Sequence, residues 1–305
     1  MSAHANPIPA ADSHGSGKID LDQAAASPRV IFNKFMNGVA FLLAILALIP
    51  LFSVLYMVIV KGGARFGIPL FVELPPQAGM VGGGIANAII GTFVMVGIAS
   101  VLSVPIGILS AVFLTELGKG TKVAKIIQFG AKILSGVPSV LMGVFIYGIL
   151  VVVTGQFSAI AGGLALAVLM LPIVILSTEK ALLQVPRNIR EASLGLGATG
   201  AQTVLRVTLP AAMPSIITGV MLAVSRAAGE TAPILFTALY SDYFIWNNAG
   251  QVTLNQPTAS MAALIYNNST VPYANLIELA WAASLVLMLL VLITNVISNF
   301  VARAK

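Results

Sequence analysis

The chain alternates long, charge-free apolar stretches with short polar connections. A helix needs about 20 apolar residues to cross a hydrocarbon core of about 30 Å. Six stretches satisfy that length: 35–60, 85–115, 133–154, 158–177, 214–239 and 279–302. The second is longer than a span requires, and tilt, a kink at Pro105 or a break near Gly107 would absorb the surplus. Lys and Arg gather in alternate connections. Lys18, Arg29 and Lys34 precede the first span, and Lys119, Lys122, Lys125 and Lys132 fall between the second and third. Lys180, Arg187, Arg190 and Arg206 precede the fifth, and Arg303 and Lys305 close the chain, whereas the intervening loops hold only Lys61 and Arg65. Such a bias marks the cytoplasmic side, so both termini are expected in the cytoplasm, as an even number of spans requires. Residues 1–28 carry Asp12, Asp20 and Asp22 and no apolar core, and read as a disordered cytoplasmic tail rather than a signal peptide. Residues 29–305 are expected to form one transmembrane domain.

Composition sharpens this picture. Of 305 residues, 58% are hydrophobic and 9% charged, which excludes an ordinary soluble enzyme. The net charge of +6 is then an orientation signal in the loops and not a nucleic-acid surface. The absence of cysteine removes disulfides, Cys-based zinc sites and thiol nucleophiles. The two histidines, His4 and His14, lie in the tail, so no catalytic constellation is expected and no metal site.

Two outer loops are sizeable. Residues 61–83 contain Pro69, Pro75 and Pro76 and lead into Gly82-Gly83-Gly84; residues 240–277 contain Tyr240, Asp242, Tyr243, Trp246, Asn247, Asn248 and Tyr266. Aromatic residues there suit an interfacial belt or a docking surface for an extracytoplasmic partner.

The inner loop at about 186–210 is the most informative. Asn188 with Glu191, and Thr199 with Gln202, have capping-box spacing, and Gly197 between them suits a left-handed turn. The pattern predicts two short helices joined at Gly197, with Pro210 and Pro214 ending the second and starting the fifth span. Glu191-Ala192-Ser193, then Gly197, then Leu209-Pro210 resembles the EAA loop of ABC importer permeases, with Ser193 in place of its second Ala. The resemblance implies a coupling helix that inserts into a separate ATPase subunit, with Glu191, Ala192, Gly197, Leu209 and Pro210 as the coupling residues. Gly15-Ser16-Gly17-Lys18 and Gly118-Lys119-Gly120-Thr121 lack the spacing and strand context of a phosphate-binding loop. ATP and Mg2+ are therefore expected on another polypeptide, and this chain has no cofactor of its own.

Arg226 and Glu230 lie inside the fifth span, with Arg226 about 18 Å along the helix from Pro214. A charge at that depth costs roughly 2.5–3.5 kcal/mol on insertion scales. The i, i+4 spacing lets the two neutralise each other, either as a packing device or as part of a polar route. Pro233 frees the carbonyl of Gly229 and invites local unwinding. A guanidinium matches oxyanions, and a neighbouring carboxylate accepts a hydrogen bond from a protonated phosphate but not from sulfate. Gly136, Pro138 and Ser139 in the third span suit helix packing and helix breaking, and Asn87 and Thr92 suit interhelical hydrogen bonds or the route itself.

The run Arg226-Ala-Ala-Gly-Glu230-Thr231-Ala-Pro-Ile-Leu-Phe-Thr resembles the PstA-type permease subunits of phosphate ABC importers. The segments 82–92 and 134–139 are similar to the same family, and the likeness extends from first span to last. It implies an all-α integral membrane protein with six transmembrane helices, a cytoplasmic coupling helix and the ABC importer type I permease fold, in a bacterial inner membrane. It further implies Arg226, Glu230, Thr231 and Asn87 along the substrate pathway. The implied partners are a PstC-type permease, a dimeric ATPase and an extracytoplasmic phosphate-binding protein. The alternatives are a permease for another oxyanion or small solute, and a stand-alone secondary transporter, which would often show inverted repeats; none is evident.

Overall fold

The computed structural model describes residues 28–246 and 250–303, so the amino-terminal tail with His4 and His14, Asn247, Asn248 and Lys305 lie outside the described residues. The regular structure of the described residues is helical apart from one isolated bridge, Trp246 with Val252. It divides into two compact units, Met1–Tyr56 and Met57–Lys305. Helix α1, Pro28–Gly63, supplies the described part of the first unit and is apolar round its circumference, with Phe41, Leu42, Leu46 and Phe52 all exposed.

Within the second unit, α2 (Ile68–Val72) leads to α3 (Ala86–Val112), which continues through a π turn over Phe113–Leu117. The surplus length of this span is not absorbed by a break. The helix runs unbroken through Pro105 and Gly107, and Gly107 instead gives close passage to α6 (Ala159–Leu183): a Cβ there would sit 2.6 Å from Val174 Cγ1. Met95 and Ala99 of α3 and Leu166, Met170 and Val174 of α6 form the centre of the main apolar core. Thr178 and Ser103 are buried among them.

The third span differs from the expected continuous helix over 133–154. Two helices, α4 (Lys122–Gly136) and α5 (Ser139–Ile146, extended by a π turn and a last turn to Thr154), meet at 106°. Val137 precedes Pro138 and is driven to extended backbone, ψ 134°, which a continuous helix cannot accommodate. Gly136 lies in open space rather than at a helix contact within the described residues.

The loop after α6 holds α7 (Arg187–Gly195) and α8 (Gly200–Thr203), joined through Gly197 at φ +86°. Thr199 and Gln202 form the expected capping box. Asn188 does not start α7, because Pro186 occupies the N-cap and Asn188 Oδ1 accepts from the amide of Ile189. Nor do Pro210 and Pro214 interrupt the chain: α8 passes through a π turn over Val204–Thr208 into α9 (Leu209–Gly229). The widened turn includes Arg206, whose carbonyl the Pro210 ring would otherwise crowd. After α9 come α10 (Ala232–Thr237), α11 (Met261–Ser269) and α12 (Ala274–Arg303).

The 240–277 loop is only partly a surface. Thr258, Ala259 and Ser260 and the first turn of α11 are buried against the start of α3. Among the described residues, five helices are long and apolar enough to span a membrane, and six if the bent pair α4–α5 counts as one span.

Candidate functional site

The break after α9 is built by three residues. Gly229 ends the helix, Glu230 turns to extended backbone (ψ 126°), and α10 restarts with Pro233 in its first turn. Proline contributes no N–H, so the carbonyl four residues back is released and the helix unwinds over Glu230-Thr231. Pro233 is packed against Gly143 of α5, where a Cβ would come within 2.6 Å of Pro233 Cα. The break is thus held by tertiary packing.

Arg226 and Glu230 remain paired across it, Arg226 Nε donating to Glu230 Oε1 at 3.2 Å. The two ends of the pair differ in exposure, 55% for the Arg226 side chain against 16% for Glu230. Among the described residues no other side chain bonds the guanidinium, which leaves its two terminal nitrogens to an outside acceptor. Arg226 also lines a small pocket of about 30 Å³ with Ser135 and Val137 at the α4–α5 break. The two helix breaks therefore lie side by side, a meeting that charge-free sequence around Val137 does not advertise. Thr231 is half-buried at the N-cap of α10, and its carbonyl accepts from Leu235 at 3.1 Å.

Asn87 stands apart from this arrangement. It is 3% exposed at the start of α3, and its Nδ2 donates to the Ser241 carbonyl at 2.8 Å, tying α3 to the loop after α10. Its geometry is that of an interhelical tie. Thr92 behaves similarly, donating to the Ala88 carbonyl and accepting from the Met261 amide at 2.9 Å.

In the 187–210 loop, Glu191, Ala192, Gly197 and Pro210 are exposed and Leu209 half-buried. Leu196 beside the turn is 90% exposed. Ser193 and Thr203 share a hydroxyl–hydroxyl hydrogen bond of 3.0 Å that ties α7 to α8. Ile189, Ala192, Leu196 and Val207 line a shallow, largely apolar depression of about 390 Å³. An exposed carboxylate beside such a depression suits a protein partner.

At the opposite end of the bundle, the two cations of the 61–83 loop are occupied internally. Arg65 donates to the carbonyls of Asn275 and Gly82, and Lys61 lies 5.0 Å from the centre of the Trp281 ring. A concavity of about 960 Å³ opens there, bordered by Tyr240, Asp242 and the stacked rings of Phe244 and Trp246. Burial, and after it the charge and hydrogen bond of Asp242, hold the Tyr240 phenol well above the ordinary tyrosine range. Because the folded state keeps this proton while an unfolded tyrosine loses it near pH 10, stability falls as pH rises past about 10. In an alkaline phenolate titration of the folded protein, Tyr240→Phe is expected to leave the absorbance amplitude below about pH 11 unchanged. A lost sixth of that amplitude, one of six tyrosines, would show that Tyr240 titrates normally.

Residues 103–305 match the family described as binding-protein-dependent transport system inner membrane component. The chain is 38% identical over 277 residues to the phosphate transport system permease protein PstA of Haemophilus influenzae, covering 91% of this chain and 96% of that one. It is 36% identical to the PstA protein of Yersinia pestis, covering 83% of each. A bacterial alginate ABC transporter, solved in complex with an alginate pentasaccharide-bound periplasmic protein, superimposes with a TM-score of 0.64 at 16% identity. That match covers 92% of this chain and 98% of the other, and shows the ABC importer type I permease fold.

Proposed function

This chain belongs to the binding-protein-dependent transport system inner membrane components, and on that premise we propose that it is the PstA-type permease subunit of an ATP-driven phosphate importer. It is a multi-pass membrane protein of a transport system and a permease, not the unit that hydrolyses ATP. In this reading it forms half of the pathway, paired with a PstC-type permease, in a bacterial inner membrane with both termini in the cytoplasm.

The observation that carries the reading is Arg226: an exposed guanidinium, steadied on one side by Glu230, at the break that ends an apolar helix. Two free terminal nitrogens offer a planar fork to phosphate oxygens. Glu230 accepts a hydrogen bond from the protonated oxygen of monohydrogen phosphate, and Thr231 lies at the same unwound turn. Permeases of closely similar sequence carry the name phosphate transport system, which supports this substrate over other oxyanions. Asn87 contributes by holding the loop above the pathway.

ATP and Mg2+ bind a dimeric ATPase docked on the 187–210 loop, where Glu191, Ala192, Gly197, Leu209 and Pro210 form the coupling surface. A phosphate-binding protein docks at the opposite end, over the aromatic concavity. Alternating access follows: the pathway opens outward while both partners are engaged, and inward after hydrolysis.

Reconstitution of the two permeases, the ATPase and the binding protein in vesicles tests this directly, with ATP-dependent phosphate uptake as the expected result. Phosphate transport by this chain alone would overturn the reading. In the same system Glu191→Ala is expected to weaken ATPase attachment by about tenfold, in line with loss of one interface anchor, while the binding protein still captures phosphate. Unchanged attachment and uptake would place the ATPase elsewhere.

A further inference from the structure

Helix α7 has nine residues, none of them buried. A helix that short has little stability of its own, so its position on the bundle depends on its tethers. One is the Ser193–Thr203 hydroxyl pair, which reaches only the neighbouring α8. The other is Arg190. Its Nη1 lies 2.6 Å from Glu116 Oε1, and its Nη2 donates to the Leu182 carbonyl at 2.5 Å. Glu116 sits in the π turn that prolongs α3, and Leu182 in the last turn of α6. One guanidinium thus joins the loop helix to the ends of two spans.

The setting makes this tether strong and directional. The Arg190 and Glu116 side chains are 19% and 14% exposed, so water screens them far less than a surface pair. The Leu182 carbonyl belongs to a helix C-terminus, where the dipole favours a cation. The planar fork holds the carboxylate and the carbonyl in one fixed geometry, whereas a lysine's compact charge on a flexible stem would not fix their relative position. It also explains the surplus length of the second span, whose extra turn carries Glu116 to Arg190.

Beyond the tether the packing is close. Gly107 of α3 abuts Val174 of α6, and Gly219 of α9 abuts Ser177 of α6, where a Cβ would meet Ser177 Oγ at 2.5 Å. Helix α9 carries Arg226. Tightly packed elements move together rather than deforming, so displacement of the ends of α3 and α6 reaches the charged break.

Resting on the reading of 187–210 as the coupling loop, we infer that Arg190 is the positioning residue that transmits ATPase movement to the spans, with Glu116 as its counter-charge. It acts on the bundle side of α7, not on the ATPase. Breaking the pair leaves the ATPase attached but lets α7 move without the bundle.

Two measurements test this on the assembled transporter. In vesicles, Arg190→Gln, Glu116→Gln and the double variant are each expected to retain the ATPase and to lower phosphate uptake per ATP hydrolysed by about tenfold, a typical coupling magnitude. The double variant is expected to be no worse than either single one. An unchanged ratio, additive losses or a detached ATPase would each overturn the inference. The second measurement does not depend on the substrate. The chain has no cysteine, so spin labels at Leu117→Cys and Leu196→Cys, both exposed positions, report the distance between the end of α3 and the α7–α8 turn. A narrow distribution that broadens with Arg190→Gln is expected; one that stays narrow overturns the tether. If the distances broaden while the native assembly fails to import phosphate, the tether stands and the substrate assignment falls.

Discussion

Arg226→Gln, assembled with its partner subunits, is expected to lose ATP-driven phosphate uptake by about 100-fold, the equivalent of two charge-assisted hydrogen bonds at roughly 1.5 kcal/mol each. The substitution keeps much of the side-chain length and removes the charge and the fork. Arg226 is exposed beyond its bond to Glu230, so little packing is lost and the subunit should still assemble. Arg226→Lys separates charge from geometry: a point charge restores attraction for the anion but not paired donation to two oxygens, so an intermediate rate is expected. Vesicle uptake at saturating binding protein is the readout, with co-purification of the ATPase as the assembly control. Normal uptake by an assembled Arg226→Gln complex would reduce the pair to a packing device.

Gly91→Val should be the most damaging substitution to the fold. The position faces Ala259, whose carbonyl oxygen would lie 2.0 Å from any added Cβ, with Thr258 Cγ2 at 2.8 Å. Both partners belong to the segment that folds back against α3, and its backbone is held by the Thr92–Met261 bond one residue away. The obstacle is backbone rather than a flexible side-chain end, so relief requires moving the segment as a whole. Overpacking of this kind costs roughly 1–3 kcal/mol or more. In detergent the melting temperature is expected to fall by about 5–10 °C for 2–3 kcal/mol in a chain of this size. Gly136→Val is the contrast, since a side chain there meets open space and should leave the melting temperature nearly unchanged. Equal tolerance of both substitutions would show that the folded-back segment is not packed as described.

Helix positions came from hydrophobic run length because a bilayer imposes a single length scale and internal hydrogen bonding on every span. Local chemistry was equally legible where it is local. Thr199 with Gln202, the Gly197 turn and unwinding before Pro233 each depend on a few consecutive residues. Pro138 was recognisable as a breaker, but the 106° angle it permits was not, since nothing within the segment sets the direction in which α4 leaves. Pro210 taught the reverse: the nearby π turn absorbs its ring, and the helix continues.

Residues that meet only across the fold escaped a reading along the chain. Along the chain Arg190 is one more basic residue of a loop; only the fold sets Glu116, 74 positions earlier, beside it. The segment 258–261 falls inside the loop that the sequence assigns to the surface, yet it is buried because α3 offers it a glycine and a hydroxyl. The sequence by itself therefore determined that this is a helical membrane protein, where its spans lie, and that charge is retained at Arg226 and Glu230. Those features follow from transfer energies and backbone rules that act over a few turns. Only the tertiary structure decided which side of the charged pair is exposed, which segment folds back into the bundle, and what fastens the 187–195 helix to it. Each of these depends on contacts between distant segments, whose free energies no local pattern records.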